Sequence, residues 1–306
     1  MKPAHYTLII IMSIVLCVCY FVVAEIMESR KSPDAPKVDK QETLDEKPIV
    51  AESIQVPETR ERPPVVHKEV AQERAKKKVK KPDYYHAIGQ LSGAELKASL
   101  HKLIRNHRVL TYSELWNALR DLDAGDEGMI VLIYQRGQRS AARNGGNLGD
   151  WNREHLWPRA YGIGRSSIAN TDLHHIRASD VRVNSDRGHL YFDETDGDDF
   201  SGKRYSRDED SWEPPNEVKG DIARALFYMA VRYEKGEANA ADLELSNTPD
   251  ISKRQHGKLS VLLKWHQFDP VSAQERKRND KIHRSYQGNR NPFIDHPEYA
   301  DRIFKN

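Results

Sequence analysis

Cysteine is nearly absent from this chain of 306 residues. Its two cysteines, Cys17 and Cys19, both lie in an apolar run at residues 7–24. The rest of the chain therefore has no thiol for a disulfide, a thiolate nucleophile or a cysteine-ligated zinc ion, even in an oxidising compartment. A folded part of roughly 220 residues must be stabilised by its own core, and that length is sufficient.

Aromatic residues are missing from residues 25–83, which are rich in Glu, Lys, Val and Pro. Such a stretch buries too little apolar surface to offset its ordering entropy, so we predict a disordered linker. It ends in a basic run at residues 74–81. This run is either a solvated charged segment or a contact for nucleic acid or anionic lipid.

The apolar run at residues 7–24 follows Lys2 and His5, as in a signal peptide. Its length lies between that of a long signal peptide and that of a short membrane span. The sequence leaves open whether residues 1–24 are cleaved or retained as a signal anchor. In either case we predict an exported protein, periplasmic or extracellular, or tethered to a membrane with its folded domain outside the cytoplasm.

Neither sign of charge is in large excess, since the net charge is +2 at pH 7. Bulk electrostatics therefore does not indicate a nucleic-acid partner, and local patches must do so. We predict one folded domain over residues 84–306, acting as a monomer.

Apolar spacing in this domain predicts several helices around a small strand-containing centre, an α+β class. Ser92-Gly-Ala-Glu95 resembles a capping box, and Ser113 is placed to cap a second helix. The apolar spacing of residues 220–234 predicts a core helix, and the continuous apolar run at residues 129–134 predicts a buried strand. Trp151, Trp157 and Trp265 are expected to pack in the core or at its rim.

The centre reads as strand, long loop, strand and helix. The first strand is predicted over residues 151–157 and is stopped by Pro158. The second strand is predicted over residues 172–177. Ser179 or Asp180 would then cap a short helix that carries Asn184 and Arg187.

These segments bring together residue types suited to phosphodiester hydrolysis. His155 is the best general base, because an imidazole is largely neutral near pH 7 and accepts a proton from water. Glu154 and Asn184 offer hard oxygens for one divalent ion, Mg²⁺, with Ca²⁺ or Mn²⁺ as alternatives. Adjacent residues on a regular strand point to opposite faces, so Glu154 and His155 share a site only if the strand is irregular or ends there.

Four arginines are candidates for binding phosphate in a forked geometry: Arg187, Arg177, Arg165 and Arg153. Two further residues are candidates for supporting the site. Asp172 is expected to bond backbone or an arginine, and His174 either orients the site or is a core histidine.

The ordered motifs are similar to those of the bacterial endonuclease I group of His-Me finger (ββα-metal) nucleases. The similarity runs over the whole of residues 84–306, and its main stretches are Asn152-Arg-Glu-His-Leu-Trp-Pro158, Asp172-Leu-His-His-Ile-Arg177, Asp180-Val-Arg-Val-Asn-Ser-Asp-Arg-Gly188, Trp212-Glu-Pro-Pro215, Lys219-Gly-Asp-Ile-Ala-Arg224, Leu263-Lys-Trp-His266 and Gln287-Gly-Asn-Arg-Asn-Pro-Phe293.

This resemblance implies a small ββα-metal core within a mostly helical domain. It implies that His155 activates water, that Glu154 and Asn184 hold one divalent ion, and that DNA and often RNA are cleaved with little sequence preference. Several relatives have a phosphate-binding arginine where this chain has Ser167, so Arg165 or Arg187 would take that role.

Two other functions remain open at this point. The first is a nucleic-acid-binding or adhesion module that kept the fold without catalysis, which would not need Glu154, His155 and Asn184. The second is a zinc hydrolase that uses His155, His174, His175 and Asp172. The spacing of these residues does not match a helical His-x-x-x-His arrangement.

Overall fold

Helices and short strands alternate along this computed structural model, which describes residues 83–196 and 204–305. The helices are α1 (Gly93–Ile104), α2 (Glu114–Leu122), α3 (Val181–Arg187), α4 (Lys219–Arg232), α5 (Leu259–Phe268), α6 (Ala273–Lys281), α7 (Pro292–Asp295) and α8 (Tyr299–Phe304). The strands are β1 (Met129–Val131), β2 (Gln138–Ser140), β3 (Trp151–His155), β4 (Ile176–Asp180), β5 (Tyr191–Phe192), β6 (Ser206–Arg207), β7 (Ser211–Glu213), β8 (Glu244–Ser246) and β9 (Gln255–Lys258). The α+β prediction is confirmed.

The predictions for residues 1–24 and for the linker up to residue 82 fall outside the described residues. Within residues 83–196 and 204–305, none of the helices combines the length and apolar character that crossing a membrane requires.

Helix α4 forms the centre of the larger hydrophobic core. Every residue of this helix except Asp221 is buried, as expected of a helix covered on all sides. Helices α1, α5 and α7 pack against it. At Gly220 an added Cβ atom would lie 1.9 Å from the Asp269 carbonyl oxygen, so only glycine permits this approach. The core helix predicted over residues 220–234 is confirmed with slightly different bounds.

The predicted serine caps of the first two helices are not formed by the serine side chains. Ser92 and Ser113 directly precede α1 and α2, but neither side chain accepts a capping bond, so the capping box predicted at Ser92-Gly-Ala-Glu95 is wrong. Instead, the Thr111 hydroxyl accepts from the Glu114 amide, and the Glu114 carboxylate accepts from the Thr111 amide at 2.7 Å. Thr111 and Glu114 thus make the reciprocal bonds of a capping box.

The strands form several small sheets rather than one large sheet. β3 and β4 are antiparallel, with Glu154 opposite Arg177 and His155 opposite Ile176. The predicted strands were too long or displaced: β3 ends at His155, β4 begins at Ile176, and the strand predicted over residues 129–134 ends at Val131. Trp151, Trp157 and Trp265 are buried, which confirms their predicted packing role.

Candidate active site

Helix α3 holds Asn184 against the first strand of the β3–β4 hairpin. Strand β4 leads directly into α3, and the Asp180 side chain caps the helix by accepting from the Arg182 and Val183 amides at 2.9 and 3.1 Å. Asp180, one of the two predicted cap residues, is therefore confirmed in that role. The Asn184 amide nitrogen donates to Asn152 Oδ1 at 2.7 Å. This bond connects the helix to β3.

A cavity of about 600 Å³ lies beside β3 and brings Glu154, His155 and Asn184 together. It is lined by the consecutive strand residues 152–155. Since neighbouring strand residues point to opposite faces, contact with all four means that the cavity follows the edge of the strand. His155 is also the last residue of β3. Both features resolve the predicted conflict between adjacent residues serving one site.

The Glu154 carboxylate is buried, and two neighbouring side chains hold one of its oxygens. Its Oε1 accepts from the Tyr134 hydroxyl at 2.6 Å and lies 3.3 Å from Arg187 Nη1. Burial raises the pKa of Glu154, while the positive charge of Arg187 opposes that rise. These contacts fix the orientation of the side chain at the cavity wall.

The contacts of His155 define its tautomer. Nε2 lies 3.1 Å from both the main-chain oxygen and the Oδ1 atom of Asn170. The Asn170 amide orientation is set by its own bonds, because its Nδ2 donates to the Arg165 carbonyl and its Oδ1 accepts from Arg159 Nε. Both oxygens near Nε2 are acceptors, so Nε2 carries the proton and Nδ1 is the basic nitrogen.

Burial keeps this imidazole neutral. The His155 pKa is lowered well below its ordinary value, first by desolvation and then by unfavourable electrostatic interaction of an imidazolium with His175 and with the Arg159 guanidinium. The residue is only 7% exposed, yet it lines the cavity. Within the described residues no protein group bonds to Nδ1. A neutral imidazole with a free basic nitrogen can accept a proton from a bound water.

Two of the four predicted arginines line the cavity. Arg153 lies 3.7 Å from the ring centres of both Tyr112 and Trp116, and its Nη1 donates to the Tyr112 carbonyl at 2.8 Å. Arg187 is 1% exposed and donates to the carbonyl oxygens of His155 and Leu156 at 3.1 and 2.9 Å. Most of the Arg187 guanidinium is thus occupied by strand carbonyls and Glu154.

The other two predicted arginines lie elsewhere. The Arg177 guanidinium is 3.5 Å from Asp123 and 3.6 Å from Asp221, in a buried ion-pair cluster. Arg165 is exposed, and the contact that it makes toward the site is the one from its main-chain oxygen to Asn170. The structure therefore does not bring the Arg177 and Arg165 side chains to the cavity.

Asp172 and His174 lie in the core behind the site. Asp172 accepts from the Tyr228 and Tyr233 hydroxyls at 2.8 and 3.0 Å and from Gln287 Nε2 at 3.0 Å. The His174 ring packs on Tyr228, with centroids 4.3 Å apart. These contacts match the core-histidine alternative for His174. Asp172 also accepts from the His174 main-chain amide at 3.0 Å, so the predicted bond to backbone is confirmed and the arginine alternative is not.

Three residues of the site were missed by sequence reasoning. Arg159 lines the cavity and bonds to Asn170, Asn170 orients His155, and Tyr134 holds Glu154. The sequence could have indicated Arg159, because this residue directly follows the Trp-Pro pair that ends the first motif. Nothing in the sequence indicated Asn170 or Tyr134, since their roles depend on contacts made in the folded chain.

The zinc alternative finds no support in the arrangement of the histidines. His175 uses both ring nitrogens inside the protein: Nδ1 accepts from the Trp157 amide at 3.4 Å, and Nε2 lies 2.8 Å from the Ala169 carbonyl. Across residues 83–196 and 204–305, no group of three or more His, Cys, Asp or Glu side chains is placed to hold a metal ion.

Comparison with known proteins links the chain to a nuclease family. Residues 92–298 match the model of the Endonuclease I family. The chain is 51% identical over 228 residues to a protein of Bacillus subtilis (strain 168) named extracellular ribonuclease, an alignment that covers 72% of this chain and 78% of that protein. A protein of the same name from Bacillus amyloliquefaciens is 48% identical over 225 residues, with the same coverage.

Proposed function

This chain belongs to the endonuclease I family of nucleases, and from that premise we propose that it is a metal-dependent, largely sequence-nonspecific endonuclease acting on RNA and on DNA. The observation that carries the proposal is the meeting of Glu154, His155 and Asn184 in one cavity. The names of the two relatives support RNA as a substrate. Family membership favours an enzyme over a binding or adhesion module.

We assign the β3–β4 hairpin and α3 to a ββα-metal core. An antiparallel hairpin followed without a break by a capped helix supports this assignment. The hairpin contributes Glu154 and His155 to the cavity, and the helix contributes Asn184.

The donor set fits a single hard cation held by Glu154 and Asn184. Asn184 bonds through its amide nitrogen, and within the described residues its Oδ1 has no protein partner. Tyr134 and Arg187 contact Glu154 through Oε1, which leaves Oε2 as a ligand atom. One carboxylate and one amide suit Mg²⁺, which keeps several waters, and Ca²⁺ or Mn²⁺ would take the same oxygens. When bound, the cation supplies charge stabilisation at the scissile phosphate and the departing 3′ oxygen.

The chain's own residues then account for proton transfer. His155 Nδ1 takes a proton from the attacking water while Asn170 holds Nε2–H. The water oxygen bonds to phosphorus as the bond between phosphorus and the 3′ oxygen breaks, and the departing 3′ oxygen takes a proton from solvent, which gives a 5′-phosphate and a 3′-hydroxyl. Arg153 and Arg159 line the cavity and supply positive charge for the phosphate oxygens. Arg187 serves mainly to hold Glu154.

The names of the two relatives and the N-terminal apolar run also support secretion. The two relatives are named extracellular proteins, and the apolar run at residues 7–24 precedes the family domain in this chain. We propose that the domain acts outside the cytoplasm as a monomer, either released or tethered through that run.

Digestion of plasmid DNA and of RNA by the full chain tests the proposal. We expect cleavage of both, loss with EDTA and recovery with Mg²⁺. His155→Ala should lower the rate by at least about a hundredfold, in line with loss of a general base. The matched control is His86→Ala, an exposed histidine bonded to the Asp83 carbonyl, which should retain the wild-type rate. Full activity of His155→Ala, or recovery with Zn²⁺ alone, would overturn the mechanism.

A further inference from the structure

A second cavity of about 620 Å³ adjoins the catalytic one and has different chemistry. His189 lines both cavities. The segment at residues 158–161 also serves both, because Arg159 lines the catalytic cavity and Tyr161 lines the second. A polynucleotide strand bound at the catalytic cavity would therefore place a neighbouring nucleotide in the second one.

The lining of the second cavity combines apolar surface with hydrogen-bond acceptors. Tyr191 and Ile251 contribute flat or apolar surface, and Ile251 is 44% exposed. Glu209 and Asp210 contribute carboxylates, while Lys253 contributes an ammonium group. The catalytic cavity, by contrast, carries arginines. Phosphate oxygens would avoid the carboxylates, whereas a base with N–H donors would be attracted to them.

Tyr161 lines the second cavity with an accessible hydroxyl, although the residue as a whole is buried. Tyr161 is 6% exposed, and its ring packs against the buried His256 with centroids 4.7 Å apart. Within residues 83–196 and 204–305, no protein group bonds to its hydroxyl. Burial raises the pKa of Tyr161, the positive charge of Arg187 opposes that rise, and the carboxylates of Asp210 and Asp250 add to it. An accessible hydroxyl without a protein partner is available to hydrogen-bond a ligand in the cavity.

Asp210 is already oriented for binding. Its Oδ2 accepts from the Tyr191 hydroxyl at 3.1 Å, and its main-chain oxygen accepts from the Tyr191 amide. Oδ1 is left for another donor. Asp250 is less available, because its Oδ1 accepts from both the amide and the hydroxyl of Ser252. Asp210, Glu209 and Tyr161 thus form the free acceptor set.

We propose that this cavity is a base-recognition subsite that binds a guanine of the substrate strand next to the cleaved phosphate. Guanine carries two N–H donor groups, N1–H and N2–H₂, side by side on one edge, and these match the carboxylates of Glu209 and Asp210. It carries two acceptors, N7 and O6, on another edge, which match the Lys253 ammonium. Stacking on Tyr191 would hold the unpaired base, as aromatic side chains do in single-strand recognition. The subsite rests on the proposed function, since it gives that nuclease a preference in where it cuts.

Sequencing the ends of fragments from a random-sequence single-stranded RNA pool, cut briefly by the full chain, tests the subsite. Wild type should show guanine enriched at one fixed position beside the cut by about fivefold or more, as expected for a paired carboxylate contact. Glu209→Gln with Asp210→Asn should abolish the enrichment, and Tyr161→Phe should reduce it. Glu127→Gln, an exposed carboxylate outside both cavities, should keep it.

The rate on oligouridine serves as the folding control, because this substrate has no guanine. All these variants should cleave it at the wild-type rate. Guanosine added to the metal-free chain should shift the NMR signals of Tyr161 and Tyr191, and inosine, which lacks the N2 amino group, should bind several times more weakly. An even base distribution at every position, with cleavage still dependent on Mg²⁺ and His155, would overturn the subsite alone. Cleavage without either dependence would overturn the proposed function.

Discussion

At the scale of single residues, the site depends on partners that hold each functional group in one orientation. His155 depends on Asn170, and Glu154 depends on Tyr134 and Arg187. The sequence predicted His155, Glu154 and Asn184 because their types and spacing carry chemical information. It could not predict Asn170, because this residue lies 15 positions after His155 and reaches it only in the folded chain.

Asn170→Ala tests the orientation of His155. The substitution removes the Oδ1 acceptor for Nε2–H and the link to Arg159, while the main-chain oxygen of residue 170 remains. We expect kcat to fall by about tenfold or more with the fold retained, as for other groups that orient a functional histidine. Steady-state cleavage of a fluorogenic oligonucleotide measures this. Asn117→Ala, an exposed asparagine bonded to Arg120, is the control, and an equal kcat in both variants would argue against the role of Asn170.

The arginines show why residue type alone is insufficient. Arg177 and Arg165 have the chemistry of a phosphate ligand, yet Arg177 is drawn into ion pairs with Asp123 and Asp221. These two acids lie 54 residues before it and 44 residues after it, so no local pattern reveals the cluster. Arg159 lines the cavity as the first residue of a short 3-10 helix, Arg159–Tyr161, which begins directly after Pro158.

At the scale of elements, the predicted order of strand, loop, strand and helix is confirmed, whereas the bounds are not. Residues 172–175 were expected to start the second strand. In the structure they form a turn, in which the Asp172 side chain accepts from the His174 amide and its main-chain oxygen from the His175 amide. The Asp-x-His pattern therefore reflects a polar turn rather than an extended segment. The cap at Asp180 was predictable because its signal is local.

The short helix α3 offers a test at this scale. Asp180→Ala removes the cap of a seven-residue helix that carries Asn184. We expect a loss of about 1 kcal/mol in the free energy of unfolding, together with weaker Mn²⁺ binding because Asn184 is less well placed. Urea unfolding and metal titration measure the two effects. Asp180→Asn keeps a capping oxygen and should lose less of both. If Asp180→Ala bound Mn²⁺ as tightly as wild type, α3 would not position the ion.

At the scale of the whole molecule, many ionisable side chains are buried in a domain that has no cysteine for a disulfide. Burial lowers the pKa of six histidines: His107, His155, His174, His175, His256 and His266. For His174 and His175 the pKa falls to about 4. The fold therefore holds these rings in their neutral form.

This burial predicts loss of stability in mild acid. As the pH falls below the ordinary histidine value of about 6.5, the unfolded chain binds protons at these rings while the folded chain does not. The free energy of unfolding should therefore decrease steadily between about pH 6.5 and about pH 4. Urea unfolding at several pH values measures this. An unchanged midpoint down to about pH 4.5 would mean that the histidines titrate normally in the fold.

The measurement that tests the central claim most directly is Mn²⁺ binding by isothermal titration of the wild type, His155→Ala and Glu154→Gln. The account predicts one ion per chain, with wild-type affinity in His155→Ala and affinity weaker by about tenfold or more in Glu154→Gln, which loses a ligand charge. Circular dichroism confirms that each variant is folded. Equal Mn²⁺ affinity in the wild type and Glu154→Gln would contradict the claim that Glu154 and Asn184 hold the cation beside His155.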